Sequence, residues 1–186
     1  MSVSVDPVLY EGRPAQQREP AEERCYDALD ALGVAYRRVD HEAAFTIEAC
    51  AAVEAVLGAP ICKNLFLTNR QQTEFFLLLM PGRKPFKTKY LSAQIGSARL
   101  SFASPEHMRA LLGLEPGSVS VLGLLNDRER RVHLLVDAAL LQDEWLGCHP
   151  CRNTSTLRIA MHDVTERILP HLGYAPTVVT LPDSPE

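Results

Sequence analysis

Residues 58–67 read Gly-Ala-Pro-Ile-Cys-Lys-Asn-Leu-Phe-Leu, a run that places one ammonium group and one carboxamide among apolar side chains. The apolar members predict a buried strand. A lysine in such a strand must reach water with its long side chain, meet an anion or lower its pKa. Two interpretations of Lys63 therefore stand side by side: contact with a ligand anion, or a position at the strand's start that reaches water. In a regular strand, Lys63 and Asn64 face opposite sides.

The sequence around this run predicts alternating helices and strands. A polar turn at 69–73 leads into the apolar run 74–80, which predicts a hairpin with 61–67. N-terminal caps, first-turn prolines and terminating glycines bound the predicted helices. The predicted helices cover 20–32, 46–57, 90–95, 104–112 and 162–172, and further strands cover 34–39, 99–102, 132–137 and 157–160.

Composition favours one domain with a substantial apolar core. The chain has 186 residues, 46% of them apolar, and 19 Lys+Arg against 23 Asp+Glu give a net charge of -4. This charge excludes a global attraction to nucleic acid or membrane. Without a signal-peptide pattern or a bilayer-length apolar run, the chain is expected to be cytoplasmic, with its five cysteines reduced. We expect a loose lead-in at 1–19, one domain at 20–176 and an acidic tail at 177–186.

Three further stretches carry candidate chemistry. Residues 83–89 contain four cations without an acid, which indicates either a solvated face or a phosphate contact; the second candidate for a phosphate contact is Arg128, Arg130 and Arg131. Residues 116–126 carry no charge, so the backbone N–H groups near Gly117 and Gly123 could bind an oxyanion, although a simple turn between core elements is the alternative.

The third stretch is a C-x-x-C motif formed by Cys148 and Cys151, with Trp145 before it and His149 inside it. Redox pairs of this kind usually open a helix, whereas a strand is predicted next, and a zinc site would need further ligands. We therefore interpret the motif as two incidental thiols that flank a functional His149.

Taken in order, these motifs resemble those of the YbaK/prolyl-tRNA-synthetase-associated editing domain family. The residues that carry the resemblance are Cys62-Lys63-Asn64-Leu65-Phe66-Leu67, Gly117-Ser118-Val119, Gly123-Leu124 with Asn126-Asp127, and His149-Pro150 with Asn153 and Thr156. The most similar branch is that of the free-standing prolyl-tRNA deacylases (ProXp-ala, PrdX). The family loop usually reads Gly-x-x-x-Pro, and Val121 stands here in place of the proline.

The resemblance implies an α/β (α+β) fold with a mixed central β-sheet and flanking helices, and hydrolysis of alanine mischarged onto proline tRNA. It implies no cofactor and no metal, with the tRNA(Pro) acceptor stem and prolyl-tRNA synthetase as partners. An activated ester needs an oriented water, oxyanion donors and an anchor for the terminal nucleotide. The residues expected to act are Lys63, Asn64, Gly117, Ser118 and His149 for catalysis, Val119, Val121, Asn126, Asn153 and Thr156 for substrate binding, and Arg83, Lys84, Lys87 and Lys89 for tRNA.

Other functions stay open from the sequence alone. The removed amino acid could be cysteine or serine, and the cleft could hold tRNA or a synthetase without catalysis. A thiol redox protein is the remaining alternative.

Overall fold

The computed structural model describes residues 3–184, and its strands form two sheets. The strands are β1 (Tyr10–Glu11), β2 (Tyr36–Asp40), β3 (Cys62–Thr68), β4 (Phe75–Pro81), β5 (Ser101–Phe102), β6 (Val132–Asp137), β7 (Trp145–Cys148), β8 (Ser155–Ala160) and β9 (Thr177–Val179). The helices are α1 (Pro20–Ala31), α2 (Ile47–Leu57), α3 (Thr88–Ile95), α4 (Pro105–Leu112), α5 (Met161–Asp163) and α6 (Leu169–Leu172). A π-helical turn, Val164–Ile168, joins α5 to α6, and 3-10 turns cover Val121–Asn126 and Leu140–Gln142.

The predicted hairpin forms the centre of a five-stranded mixed sheet with the order β5-β3-β4-β6-β9. β3 pairs antiparallel with β4, which places Lys63 opposite Met80 and Asn64 opposite Leu79. β4 runs parallel to β6, and β6 runs parallel to β9. Every residue of β4 up to Met80 is buried, as its continuous apolar sequence predicts.

A second sheet, antiparallel and with the order β1-β2-β8-β7, meets the first beside the start of β3. Here Ile61 forms a parallel bridge with Gly147, whose N–H donates to the Pro60 carbonyl at 3.1 Å. A Cβ at Gly147 would lie 2.4 Å from that carbonyl oxygen, so this junction requires glycine. The α/β class with a mixed central sheet and flanking helices is confirmed, and a second sheet that the sequence did not predict lies beside it.

Local capping signals set the bounds of α2 and α4 as predicted, whereas α3 begins at Thr88 rather than Tyr90 and the helix expected at 162–172 is divided by the π-helical turn. The Thr46 hydroxyl accepts from the Ala49 N–H at 3.1 Å, and Gly58 ends α2 with a φ of 68°. The Ser104 hydroxyl caps α4 in the same way. The buried face of α2 packs on β2 and β8 of the second sheet, and Ala59 and Ile61, just before β3, belong to the same apolar cluster.

The two ends of the chain contribute to the sheets. In the segment expected to be a loose lead-in, Val5 bridges to His41 and β1 pairs with β2. Within the expected acidic tail, β9 pairs with β6 and Leu181 is buried. Sequence did not reveal these pairings because both strands are too short to show a period. The division of the chain into domains stays a prediction.

Candidate functional site

A cavity of about 200 Å³ lies where β3, the 115–120 loop and the end of β7 meet. Asn64 and His149, two of the residues expected to be catalytic, line it together with Gly117. The rest of its wall is small and mainly apolar: Cys50, Ile61, Cys62, Val119 and Cys148. The structure thus brings three separate sequence motifs to one concave surface.

His149 presents a neutral imidazole to this cavity. Its Nδ1 lies 2.9 Å from the Ser155 carbonyl oxygen, which can only accept, so Nδ1 carries the proton. Burial lowers the pKa of His149 to about 4. Its Nε2 has no hydrogen-bond partner within residues 3–184 and is therefore an available acceptor.

Asn64 offers a second unused acceptor. Its amide Nδ2 donates to the Cys62 carbonyl at 3.4 Å and lies 3.2 Å from the Cys62 sulfur. Its Oδ1 is buried and has no hydrogen-bond partner in the described part of the chain. A buried acceptor without a donor is costly, so a ligand N–H at this point would be favoured.

The glycine loop contributes backbone donors, of which Gly117 was expected and Val119 was not. The Ser118 N–H donates to the Glu115 carbonyl at 3.0 Å, and the Ser118 hydroxyl donates to the same oxygen at 2.7 Å. Ser118 is buried and closes the turn, so the expectation that its N–H binds a substrate oxygen is wrong. The N–H groups of Gly117 and Val119 have no partner among residues 3–184.

Gly117 also lies directly beneath an aromatic ring. Its φ is 87°, and a Cβ there would lie 2.4 Å from Cε1 of Phe45. Phe45 is 71% exposed and belongs to the segment that leads into α2. The largely exposed ring therefore lies over the loop at Gly117.

A larger cavity of about 530 Å³ shares the wall formed by Cys50, Ile61 and Cys62 with the smaller one. Lys63 lines it, and its ammonium donates to the Lys84 carbonyl at 2.7 Å. Burial lowers the pKa of Lys63, and no carboxylate pairs with it among the described residues. Asn64 and Lys63 are adjacent in β3 but line different cavities, Asn64 the smaller and Lys63 the larger.

Four residues expected to bind substrate have other positions. Val121 is 1% exposed in the main core, and the Asn126 amide donates to the Leu112 carbonyl at 2.8 Å. Asn153 holds the backbone of Ala44 through two hydrogen bonds of 3.0 and 3.2 Å. The Thr156 hydroxyl is wholly buried between two histidines. Of the five residues so predicted, only Val119 lines the small cavity.

The basic cluster separates into one internal and several surface cations. Lys84 is 8% exposed, and its ammonium lies 2.8 Å from the carboxylate of the fully buried Asp137, so its expected role as a tRNA contact is wrong. Arg83 lines the larger cavity and contacts Glu54 at 3.2 Å with a side chain that is 78% exposed. Lys87 and Lys89 are exposed, as are Arg128, Arg130 and Arg131 of the second cluster.

The cysteines do not form a redox motif. Cys148 ends β7, β8 follows the C-x-x-C motif, and the close thiol pair is Cys25 with Cys151, at 3.4 Å. Burial raises the pKa of Cys148 well above its usual value, which disfavours the reactive thiolate. Within residues 3–184, no group of three or more potential ligands is arranged for a metal, and no helix is long and apolar enough to cross a membrane.

Sequence reasoning missed three residues of the site. His41 directly follows β2 and forms a hydrogen bond with Thr156, Phe45 covers Gly117, and Cys50 lies in the wall that the two cavities share. The sequence carried a usable signal for Phe45, because Phe45 and Ile47 place two large apolar side chains at the start of a predicted helix. The structure leaves both exposed. His41 gave none, because a single histidine beside a strand is common.

Comparison with known proteins identifies the family of this fold and site. The family model for the aminoacyl-tRNA editing domain matches residues 41–166, which include both cavities. The chain belongs to the aminoacyl-tRNA editing domain family. The resemblance drawn from the sequence motifs is thereby confirmed.

Relatives within the editing family support this assignment. The chain is 31% identical to the prolyl-tRNA editing protein ProX of Acetoanaerobium sticklandii over 136 residues, which are 73% of this chain and 83% of that one. It is 27% identical to prolyl-tRNA synthetase associated domain-containing protein 1 of Danio rerio, over 82% of this chain and 83% of that protein. A solved structure of a candidate trans-editing enzyme for prolyl tRNA synthetase shares the fold, with a TM-score of 0.64 and 19% identity over 90% of this chain and all of that one.

Proposed function

We propose that this protein hydrolyses the aminoacyl ester of mischarged proline tRNA, and that alanine is the amino acid removed. Family membership and the prolyl-tRNA editing protein among its relatives support the reaction class. The observation that carries the proposal is the pair of adjacent cavities: the larger is lined by Lys63, which has no carboxylate partner among the described residues, and the smaller by His149 and Asn64, each with an acceptor atom that no residue in 3–184 uses.

The larger cavity suits the terminal nucleotide of the acceptor strand. Its volume of about 530 Å³ lies in the range of small-molecule sites. The Lys63 ammonium lacks a counter-ion in the described residues and would bind a phosphate oxygen. Phe45 and Ile47, both largely exposed at the rim, provide apolar surface on which a base can stack.

The smaller cavity suits the amino acid. With about 200 Å³ between the walls of Ile61, Cys62 and Val119, it accommodates a small side chain such as the methyl of alanine. Asn64 Oδ1 would accept a hydrogen bond from the α-ammonium group and so hold the carbonyl carbon in place. Serine and cysteine are also small, which is why the experiment below includes both.

The reaction then needs only an oriented water and an oxyanion site. Water, hydrogen-bonded to His149 Nε2, adds to the carbonyl carbon, while the N–H groups of Gly117 and Val119 donate to the carbonyl oxygen as it becomes negative. The water gives up a proton to His149 Nε2, the ester C–O bond breaks, and the same proton passes to the ribose oxygen as it leaves. Free amino acid and uncharged tRNA are the products.

A panel of charged tRNAs tests the proposal. Proline tRNA is charged separately with alanine, serine, cysteine and proline, and release of the amino acid is followed with and without the protein. We expect hydrolysis of the alanyl ester to be the fastest. Tight binding without hydrolysis of any ester would instead favour a non-catalytic tRNA-binding module, and preference for serine or cysteine would change the substrate.

A further inference from the structure

A short chain of buried hydrogen bonds runs behind His149. His149 Nδ1 lies 3.3 Å from the Thr156 hydroxyl oxygen, and the same oxygen lies 2.8 Å from Nε2 of His41. The two imidazole rings are 6.0 Å apart between centroids, and Thr156 is fully buried between them. Of these three residues, only His149 lines the small cavity.

Two backbone carbonyls determine which ring nitrogen is protonated in each of the two histidines. His41 Nδ1 lies 2.7 Å from the Glu42 carbonyl oxygen, and His149 Nδ1 lies 2.9 Å from that of Ser155. A carbonyl oxygen only accepts, so each Nδ1 carries a proton. Burial lowers the pKa of both rings, so each is neutral and its Nε2 is an acceptor.

The protonation of the two histidines determines the direction in which the Thr156 hydroxyl donates its hydrogen. Because His41 Nε2 is an acceptor, the Thr156 hydroxyl donates its hydrogen to His41. The Thr156 hydroxyl oxygen then accepts a hydrogen bond from the N–H at Nδ1 of His149. Without His41, the hydroxyl hydrogen is free to turn towards His149 Nδ1 and compete with the proton there, and the Ser155 carbonyl alone then favours that proton.

We infer that His41 is a positioning residue: by accepting the Thr156 hydroxyl hydrogen, it keeps His149 in the Nδ1–H tautomer with an unprotonated Nε2 at the small cavity. This inference rests on the proposed function for its catalytic consequence. The opposite tautomer presents an N–H at Nε2 and cannot accept a hydrogen bond from the attacking water. The tautomer itself requires no substrate and can be measured independently.

The first measurement is made on the wild-type protein. Labelling histidine with ¹⁵N and recording long-range ¹H–¹⁵N spectra shows which nitrogen of each neutral ring is protonated, and a His149→Asn variant assigns the signals. We expect protonation of His149 on Nδ1 and of His41 on Nδ1. Protonation of His149 on Nε2 would overturn the inference without any kinetic experiment.

The second measurement is a double-mutant cycle of His41→Leu and Thr156→Val. His41→Leu frees the hydroxyl hydrogen, so we expect a mixed tautomer at His149 and a fall in kcat of about tenfold, with a smaller change in KM. Removing the hydroxyl as well should relieve this competition, so the double variant should match Thr156→Val alone and recover the Nδ1–H signal. Additive losses, or a His41→Leu variant with unchanged tautomer and kcat, would contradict the inference.

Control variants separate positioning from general effects. His162→Leu and Thr154→Val change exposed residues of the same types and should leave both readouts unchanged. Circular dichroism verifies that each variant is folded. If the buried variants do not fold, the wild-type tautomer of His41 carries the test, because a proton on its Nε2 would remove the acceptor of the Thr156 hydroxyl and overturn the inference. If wild-type protein hydrolyses no ester, the proposed function fails, while the tautomer spectra still test the hydrogen-bond chain.

Discussion

Replacing Lys63 with methionine removes the ammonium while keeping most of the side-chain volume. In the structure this ammonium makes one hydrogen bond, 2.7 Å to the Lys84 carbonyl, and has no carboxylate partner among the described residues. Loss of that bond is offset by relief from burying a charge, so we expect the free energy of unfolding to change by less than about 1 kcal/mol.

The effect on the substrate should be larger than the effect on the fold. A charge-assisted hydrogen bond contributes about 1.5 to 3 kcal/mol, and about 1.4 kcal/mol corresponds to a factor of ten. If Lys63 holds a phosphate equally in the ground state and the transition state, KM should rise by roughly ten- to 150-fold while kcat changes little. Steady-state deacylation of alanyl-tRNA(Pro) over a range of tRNA concentrations measures both quantities.

A matched control accounts for the loss of one positive charge. Arg24→Met makes the same change in net charge on the exposed face of α1 and should leave KM within about twofold. The reasoning is refuted if Lys63→Met has a KM within about threefold of wild type, or if kcat falls while KM is unchanged. The latter result would place Lys63 in the chemical step.

Four further predictions rest on the same geometry. Lys84→Met leaves the buried carboxylate of Asp137 without its cation, so the free energy of unfolding, measured by urea titration, should fall by about 3 kcal/mol. Adding Asp137→Asn to this variant should restore the lost stability. A single variant as stable as wild type would show that the pair does not stabilise the fold. Arg83→Gln with Lys89→Gln should flatten the slope of log affinity against log salt by about one to two units, and an unchanged slope would move the tRNA to another surface. His149→Ala should lower kcat by at least about tenfold. The pKa of His149 in the folded protein, about 4, lies below its value in the unfolded chain. The unfolded chain therefore takes up the proton first as pH falls from neutrality towards 4, and the folded state loses stability over that range. His149→Asn removes this group, so the free energy of unfolding should depend less on pH there.

The sequence predicted those parts of the fold that local signals determine. Thr46, Gly58 and Ser104 are cap residues whose effect depends on a few neighbours, so the ends of α2 and α4 could be read directly. The separation into two sheets could not, because it depends on the distant pairing of Ile61 with Gly147.

The same distinction applies to the site. The prediction that Lys63 and Asn64 diverge follows from strand geometry, and the structure places them in adjoining cavities. The roles expected of Ser118 and Lys84 were wrong because a sequence does not show which backbone groups a turn uses, or that Asp137 lies across the fold beside a lysine.

The most direct test of the account is a crystal structure with a non-hydrolysable analogue of the aminoacylated end, alanine joined by an amide bond to the 3′ carbon of an adenosine 5′-phosphate. We predict a phosphate oxygen within about 2.7 to 3.2 Å of Lys63 Nζ and the α-ammonium at the same distance from Asn64 Oδ1. The alanine methyl should lie against Ile61 and Cys62, beside His149. A bound analogue with its phosphate away from Lys63, or with its alanine outside the small cavity, would contradict the proposed site.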